Sequence, residues 1–201
     1  MIPKEYLRST DRILDAVIAR VELPERRPQR SHFYALARGI IRQQLSGHAA
    51  DAIERRFVEI FSLRKNFFPK PKDILAMPAA RMRASGLSGA KVSYLKNLAT
   101  AVADKTVNFK KISGLPDEEV IARLTRIKGI GRWTAEMFLI FALGRADVFS
   151  YGDQGLKNAM KRLYGLRGHP SRARAEKISS RWRPHRTLAC RYLWASLKMD
   201  V

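Results

Sequence analysis

The chain has 201 residues, and 39 Lys and Arg against 18 Asp and Glu give it a formal net charge of +21. Such a surplus favours a polyanionic partner, nucleic acid first, over a merely solvated charged surface, because like charges also oppose folding. A single cysteine excludes an internal disulfide and a four-thiolate iron–sulfur cluster and indicates a reducing compartment. With no signal-peptide or membrane-spanning pattern, we expect an intracellular protein, cytoplasmic in a bacterium or nuclear in a eukaryote.

The apolar pattern predicts helices along the whole chain and no alternating strand, and hence an all-α fold. The predicted helices share a repeat of three to four residues and cover residues 1–20, 31–46, 48–63, 72–77, 88–104, 116–127, 132–143, 154–163, 172–179 and 185–198. Ser31 is the expected cap of the second helix, Pro116 the start of the sixth, and Gly144 the end of the seventh.

Two glycines separate the predicted helices 116–127 and 132–143. Gly129 and Gly131 flank Ile130 and permit left-handed torsions and close approach of another backbone. The next helix begins with unpaired N–H groups that suit a phosphate oxygen, while Ile127 and Ile130 anchor the turn in the core. This arrangement is a helix-hairpin-helix, a sequence-independent clamp on the DNA backbone, although a tight turn without a ligand has the same pattern.

Asp153 precedes the predicted helix 154–163. Its carboxylate can cap an N–H of Gly155 or Leu156, and the helix start in turn favours the ionised carboxylate. Asp147 is the nearest alternative acid, and its place in the ADVF sequence favours a role in fixing the loop.

The segment LTRIKGIGRWTAEMFLIFALGRADVFSYGD, residues 124–153, resembles the signature of the helix-hairpin-helix DNA glycosylases, which ends in an aspartate. IIRQQLSGHAA, GLSGAKVSYLKNLA and RWRPHRTLACRYLW resemble three further blocks of the 3-methyladenine DNA glycosylase II branch. The blocks occur in the family's order and reach from Ile40 to Trp194.

The resemblance implies a monofunctional glycosylase of base excision repair. Such an enzyme hydrolyses the N-glycosidic bond of alkylated purines flipped out of duplex DNA and leaves an abasic site. Asp153 would be the catalytic carboxylate, stabilising positive charge on the sugar and activating water. Bifunctional relatives carry a lysine where this chain has Trp133, so we expect no Schiff base and no strand cleavage.

The same resemblance places Trp133, Met137 and Trp194 around the base pocket. An electron-rich ring there attracts a cationic alkylated base, and core packing is the alternative role for both tryptophans and, more strongly, for Trp182. Met137 stands where relatives can have a tyrosine, which leaves the range of bases open.

By the same resemblance, three residues, Gln43, Gln44 and Leu45, correspond to the wedge that fills the gap left by a flipped base. Gln44 is the expected wedge by position, and hydrogen bonding at the end of a helix is the alternative role of both glutamines. The residues expected at the DNA backbone are Lys128, Gly129, Ile130, Gly131, Arg132 and Thr134. Lys128 is alternatively a solvated surface lysine.

No cofactor is required by this interpretation, and the four histidines have no ligand spacing. By resemblance, Na⁺ or K⁺ can bind at the hairpin through the carbonyl oxygens of Thr125, Ile127 and Gly129.

The implied architecture is two helical subdomains flanking a DNA cleft, without an additional N-terminal β domain. Residues 28–145 hold the hairpin at about 124–135, and residues 1–27 join 146–201. We expect a monomer that binds double-stranded DNA containing damaged bases. The C-terminal third is strongly basic and predicts a steep salt dependence of binding. Two alternatives stay open: a glycosylase for deaminated or oxidised bases, and a non-catalytic hairpin module that binds DNA.

Overall fold

The computed structural model describes residues 2–25, 31–45, 47–61 and 68–199, and these ranges contain helices and no strand. In chain order the α-helices are α1 (Pro3–Thr10), α2 (Arg12–Arg20), α3 (His32–Arg42), α4 (Gly47–Glu59), α5 (Pro71–Ala76), α6 (Ala79–Ala84), α7 (Gly89–Ala103), α8 (Phe109–Ile112), α9 (Asp117–Leu124), α10 (Arg132–Phe138), α11 (Gln154–Leu163), α12 (Arg172–Ser179) and α13 (Arg186–Ser196). A π-helical segment, Leu139–Leu143, follows α10, and a 3₁₀ helix, Ser180–Trp182, follows α12. The all-α prediction is confirmed. None of the described helices is both long enough and apolar enough to cross a bilayer.

The chain divides into two compact units. One comprises Met1–Arg27 and Gly144–Val201, and the other is Pro28–Leu143. The sequence placed the second boundary at 145, two residues beyond Leu143. Three predicted features lie outside the described residues. They are the domain boundary at residue 28, the helix end at residue 63 and Ser46, which follows Leu45.

Asp11 organises the first unit, which contains α1, α2 and α11 to α13. The predicted single helix over residues 1–20 is wrong, because Asp11 adopts an extended backbone that ends α1 and begins α2. Its Oδ1 accepts hydrogen bonds from the N–H groups of Ile13 and Leu14 at 3.0 and 3.2 Å. The side chain therefore replaces the helical partners of these amides, as short acidic side chains do at caps.

The second carboxylate oxygen of Asp11 accepts from the Tyr164 hydroxyl at 2.7 Å and from Trp182 Nε1 at 2.9 Å. Burial, together with the hydrogen bond to Asp11, raises the pKa of the Tyr164 phenol. Trp182 is completely buried, which confirms core packing as its role. The surrounding core is apolar and includes Leu7, Leu14, Val17, Ile18, Phe149, Leu156, Met160, Ile178 and Leu193.

The second unit contains α3 to α10 and the π-helical segment. Its buried apolar residues include Phe33, Leu36, Ile40, Ile41, Phe57, Ile74, Met82, Leu95, Leu98, Leu124, Phe138 and Leu139. The Ser31 cap of α3 is confirmed, because its hydroxyl accepts from the Tyr34 N–H at 3.0 Å. The short helices α6 and α8 were not predicted, since six and four residues are too few to show a repeat.

The apolar segment 132–143 differs from the single α-helix expected. It changes to π-helical hydrogen bonding at Leu139, and Gly144 then ends it with a φ of 73°. A π-segment widens the turn and shifts the following side chains around the axis. Phe141 is 40% exposed there, although it stands in the most apolar stretch of the chain.

Candidate active site

Asp153 occupies the N-cap of α11, as predicted. Its Oδ1 accepts from the Leu156 N–H at 2.7 Å and from Trp194 Nε1 at 2.9 Å. The residue is 8% exposed and its backbone N–H donates to the Ser150 carbonyl at 3.1 Å. Two donors on one oxygen fix the orientation of the carboxylate, so a helix cap and a preorganised acid are the same structural feature here.

Gly155 permits the approach of Trp194 to Asp153. A Cβ atom at Gly155 would lie 3.1 Å from Asp153 Oδ1 and 3.1 Å from Trp194 Cδ1. Trp194 lies on α13, is partly buried and packs against the core of the first unit. The aromatic residue predicted to contact the base therefore also holds the acid in place, which the sequence did not indicate.

Asp147, the alternative acid, fixes the loop as predicted. Its carboxylate accepts from Arg186 Nε at 2.6 Å and from Arg186 Nη2 at 3.0 Å, a two-point ion pair. Arg183 Nη1 adds a contact at 3.2 Å. A carboxylate engaged by two guanidinium groups is a structural anchor.

The hairpin between α9 and α10 depends on Gly129. Its φ is 106°, and a Cβ there would lie 2.2 Å from Cγ of Tyr94 on α7. Asn97, three residues further along α7, donates to the Lys128 carbonyl at 3.1 Å. Backbone conformation and side-chain packing both require glycine at this position.

Ile127 and Ile130 anchor the turn in the core as predicted, since they are 7% and 3% exposed. Gly131 differs from Gly129 because its φ is −88° and a Cβ would meet nothing within 4 Å. It is the N-cap of α10 and offers no side-chain cap. The start of α10 can therefore present main-chain N–H groups to an external acceptor, and close approach of that acceptor is a reason for glycine here.

Two residues expected at the DNA backbone are engaged within the protein. Arg132 forms two hydrogen bonds with Glu118, at 2.5 and 3.0 Å, and one with Glu136 at 2.9 Å. These partners, Glu118 first, raise the pKa of Arg132. Thr134 is 3% exposed, so its side chain cannot reach DNA and only its amide remains a candidate. The Thr134 side chain is thus corrected to a buried one, whereas half of the Arg132 side chain is exposed and its contact with the DNA backbone stays a prediction.

Lys128 is exposed, as a phosphate contact requires, and no hydrogen bond or ion pair engages its ammonium in the described part of the chain.

The turn after α3, residues 42–45, is called the corner below. Its Gln44 is exposed, with a left-handed φ of 56°. Gln43 is different, because its Nε2 donates to the Gly129 carbonyl at 3.0 Å and to Thr134 Oγ1 at 3.1 Å. Its side chain is partly buried and held by these two acceptors, which favours the alternative predicted for Gln43, a structural role through hydrogen bonding at the end of the helix. Leu45 is partly buried.

Trp133 and Met137 line one cavity of 310 Å³ in the second unit. Its other lining residues come from α3, α10 and the π-helical segment and are Ala35, Arg38, Gly39, Arg42, Thr134, Phe138 and Phe141. Sequence reasoning missed Phe141 and the α3 wall. The spacing of Trp133, Met137 and Phe141, four residues apart, was an available signal for one helix face.

The two arginines that line the cavity from α3, Arg38 and Arg42, are paired with carboxylates. Arg38 Nε lies 3.0 Å from a Glu54 carboxylate oxygen, and Arg42 forms a short ion pair with Asp51. These carboxylates on α4 offset the positive charge beside the cavity, which favours a cationic occupant more than unpaired arginines would.

The carbonyl oxygens proposed for a monovalent cation are partly engaged. The Ile127 carbonyl accepts from the Ile130 N–H at 2.9 Å, and the Gly129 carbonyl accepts from Gln43. Each oxygen has a second lone pair, and neutral oxygen donors suit a hard cation, so the donor set fits. No cluster of three His, Cys, Asp or Glu side chains suited to a metal occurs among residues 2–25, 31–45, 47–61 and 68–199.

A glycine hairpin of this geometry, together with a capped and oriented aspartate, defines a helix-hairpin-helix protein with a candidate catalytic acid. The profile of the HhH-GPD superfamily of base excision DNA repair proteins matches residues 37–184. The chain belongs to this superfamily.

Individual proteins of known name are similar over most of the chain. DNA-3-methyladenine glycosylase 1 of Schizosaccharomyces pombe is 40% identical over 179 residues, which cover 86% of this chain and 78% of that protein. The S. pombe 3-methyladenine DNA glycosylase Mag1, solved in complex with abasic DNA, superposes with a TM-score of 0.91 at 35% identity, covering 100% and 98% of the two chains. The DNA-3-methyladenine glycosidase structure from Bacillus halodurans gives a TM-score of 0.81 at 33% identity, covering 99% and 90%.

Proposed function

We propose that this chain is a monofunctional DNA glycosylase that hydrolyses the N-glycosidic bond of alkylated purines, of the 3-methyladenine or 7-methylguanine type. The observation that carries the proposal is Asp153, whose Oδ1 is fixed by the Leu156 N–H and by Trp194 Nε1. The names of its relatives support the substrate class.

The chemistry requires a negative charge and a water molecule. The bond between C1′ of the sugar and the ring nitrogen of the base breaks, and its electron pair leaves with the base. Asp153 stabilises the positive charge that develops on the sugar and accepts a proton from the attacking water, whose oxygen bonds to C1′. A base alkylated on a ring nitrogen is cationic and leaves as a neutral molecule, so it needs no proton donor.

The cavity lined by Trp133, Met137 and Phe141 supplies the binding surface for the base. Ring faces attract a cationic base by stacking and by cation–π interaction. Extrusion of the base costs a few kcal/mol, and the exposed Gln44 is the side chain that fills the gap. The amides at Gly131 and the start of α10, with the Lys128 ammonium, hold a phosphate.

Trp133 stands at the position where a lysine nucleophile would be needed for lyase chemistry. An indole cannot form a Schiff base with the sugar, so the product is an intact strand with an abasic site.

The large apolar side chains that are exposed in the described residues are Ile2, Leu75, Phe141 and Leu197, each in a different segment of the chain. None forms an apolar stripe with another along one helix, and we propose that the protein acts as a monomer.

Asp153→Asn tests the proposal. Asparagine also caps helices, so the fold should persist, while release of 3-methyladenine from an alkylated duplex should fall on the order of 10²-fold or more. Free base is measured by chromatography, and strands are resolved with and without alkali to detect scission.

Asp147→Asn is the matched control, and we expect it to lower stability through Arg186 while base release continues. If the wild-type protein released hypoxanthine, uracil or 8-oxoguanine but no alkylated purine, its substrates would be deaminated or oxidised bases rather than alkylated purines. A wild type that released no base at all would make the chain a binding module, and strand scission without alkali would contradict the monofunctional mechanism.

A further inference from the structure

The corner after α3 is a tight turn in which Gln44 has a backbone conformation unusual for a residue with a side chain. The Leu45 N–H donates to the Arg42 carbonyl at 3.2 Å, and Gln43 has φ −50° and ψ 130°. Gln44 follows with a φ of 56°. These values are near those of a type II turn, whose third residue is ordinarily glycine or asparagine. A glutamine held there requires surrounding contacts that fix the turn.

Lys91 provides two of these contacts. Its Nζ donates to the carbonyl oxygens of Ile41 and Gln43, each at 2.8 Å. Both carbonyls belong to the C-terminal end of α3, where a positive charge is favourable and the helix leaves its acceptors unpaired. Lys91 is half-buried, and burial lowers its pKa. No carboxylate forms an ion pair with it in the described part of the chain, so these carbonyls are its recorded partners.

Gln43 connects the same turn to the hairpin. Its Nε2 donates to the Gly129 carbonyl and to Thr134 Oγ1, one on each side of the start of α10. The corner is therefore fixed from two directions, by Lys91 through the main chain and by Gln43 through its side chain.

One face of α7 carries both the corner and the hairpin. Lys91, Tyr94 and Asn97 recur every three residues, which places them on the same side of the helix. Lys91 holds the corner, the Tyr94 ring packs on Gly129, and Asn97 donates to the Lys128 carbonyl. Helix α7 thus contacts both the turn that carries Gln44 and the hairpin, and together with Gln43 it sets the distance between them.

We propose that Lys91 is a positioning residue for base extrusion: it holds Gln44 at a fixed place relative to the hairpin that grips the phosphate. This inference rests on the proposed glycosylase function. Lys91 acts through Gln44, and its Nζ is committed to protein carbonyls. Its loss should therefore impair the step that opens the base stack and leave hydrolysis of an already unstacked nucleotide intact.

The experiment compares Lys91→Met with wild type on two substrates carrying the same alkylated base. In one the lesion is paired within a duplex, and in the other it stands in a single-nucleotide bulge that needs no wedge. Single-turnover release from the pair should slow about tenfold, as for residues coupled through a shared backbone element, while release from the bulge changes less than about twofold. Because both rates come from one preparation, their ratio does not depend on the folded fraction.

Lys96→Met is the matched control. Lys96 lies on the same helix and donates to the Leu75 carbonyl at 3.5 Å, away from the corner. Its rate ratio should equal that of wild type. A fluorescent adenine analogue beside the lesion reports unstacking directly, and its signal should weaken in Lys91→Met alone.

Two further variants, Gln44→Ala and the double variant Lys91→Met/Gln44→Ala, test whether Lys91 acts through Gln44. If Lys91 acts through Gln44, adding Lys91→Met to Gln44→Ala costs no further activity on the paired lesion. Fully additive losses, or equal losses of Lys91→Met on both substrates, would overturn the positioning role while leaving the glycosylase function in place. Absence of base release by wild type from both substrates would overturn the function, and this inference with it.

Discussion

Gln44 has a backbone conformation that glycine adopts without strain. Its φ of 56° places the Cβ near the following carbonyl, which costs roughly 1–2 kcal/mol for a residue with a side chain. Lys105 is the other non-glycine residue with a positive φ in the described part of the chain, at 62°, and it lies on an exposed loop. The two positions share a backbone cost, and under the proposed function only the Gln44 side chain contacts DNA.

We expect Gln44→Gly to separate stability from activity. Relief of the left-handed strain offsets the greater freedom of glycine in the unfolded chain, so the free energy of unfolding should stay level or rise by up to about 1 kcal/mol. Release from a paired lesion should nevertheless fall about tenfold, because the gap in the stack stays empty. Thermal melting and single-turnover release measure both quantities. Lys105→Gly should show the same stability change at full activity, and an active Gln44→Gly would contradict the wedge role.

At the scale of the element, the start of a helix could be predicted from a single capping residue. Helix α11 begins where predicted because Asp153 accepts from the Leu156 N–H. Helix α12 also covers the predicted residues, and its cap, Ser171, which accepts from the Arg174 N–H, was not predicted. The N-terminal helix was predicted as one because its apolar repeat continues through Asp11. Only the buried partners of that carboxylate, distant in sequence, show why the chain breaks there.

The candidate site, like the helix boundaries, could be predicted only where its features depend on nearby sequence. Asp153 could be predicted as a helix cap from local sequence, whereas its catalytic role and the pocket roles of Trp133 and Met137 came from the resemblance to the family's motif. The engagement of Arg132 by Glu118, fourteen residues away, could not, because two surface charges pair only when the hairpin sets their distance. The π-helical segment was equally invisible, since its hydrogen-bond register depends on packing and has no composition of its own.

The two hairpin glycines give a prediction for this element. Gly129→Ala should destabilise the protein by about 3 kcal/mol, because a Cβ would overlap the Tyr94 ring and the φ is positive. Gly131→Ala should change stability by less than about 0.5 kcal/mol, since nothing lies within 4 Å.

The same Gly131→Ala change should weaken binding to an undamaged duplex about tenfold if it disturbs one hydrogen bond to a phosphate. Thermal melting and fluorescence anisotropy distinguish the two glycines. Equal affinity of Gly131→Ala and wild type would show that the phosphate does not approach at this point.

For the whole molecule, the net charge of +21 overstates the charge available to DNA. Many cations are committed to the fold: Arg186 and Arg183 bind Asp147, Arg132 binds Glu118, and Arg162 and Arg191 donate to backbone carbonyls. Other exposed cations have no recorded partner within the described ranges, and in the C-terminal third they include Lys161, Arg167, Arg174 and Lys177. We therefore expect phosphate contacts from this second group rather than from every cation of the C-terminal third.

The salt dependence of duplex binding distinguishes committed cations from available ones. Each phosphate neutralised contributes a slope of roughly −0.9 to log K against log salt, because counterions are released. Lys128→Ala should therefore make the slope less steep by about 0.9, since its ammonium is exposed at the hairpin. Arg123→Ala removes the same formal charge from α9, but that guanidinium is paired with Glu119 at 2.7 Å, so the slope should stay nearly constant. Anisotropy titrations across a series of salt concentrations give both slopes. A common reduction in the two variants would mean that total charge, rather than the placed ammonium, governs binding.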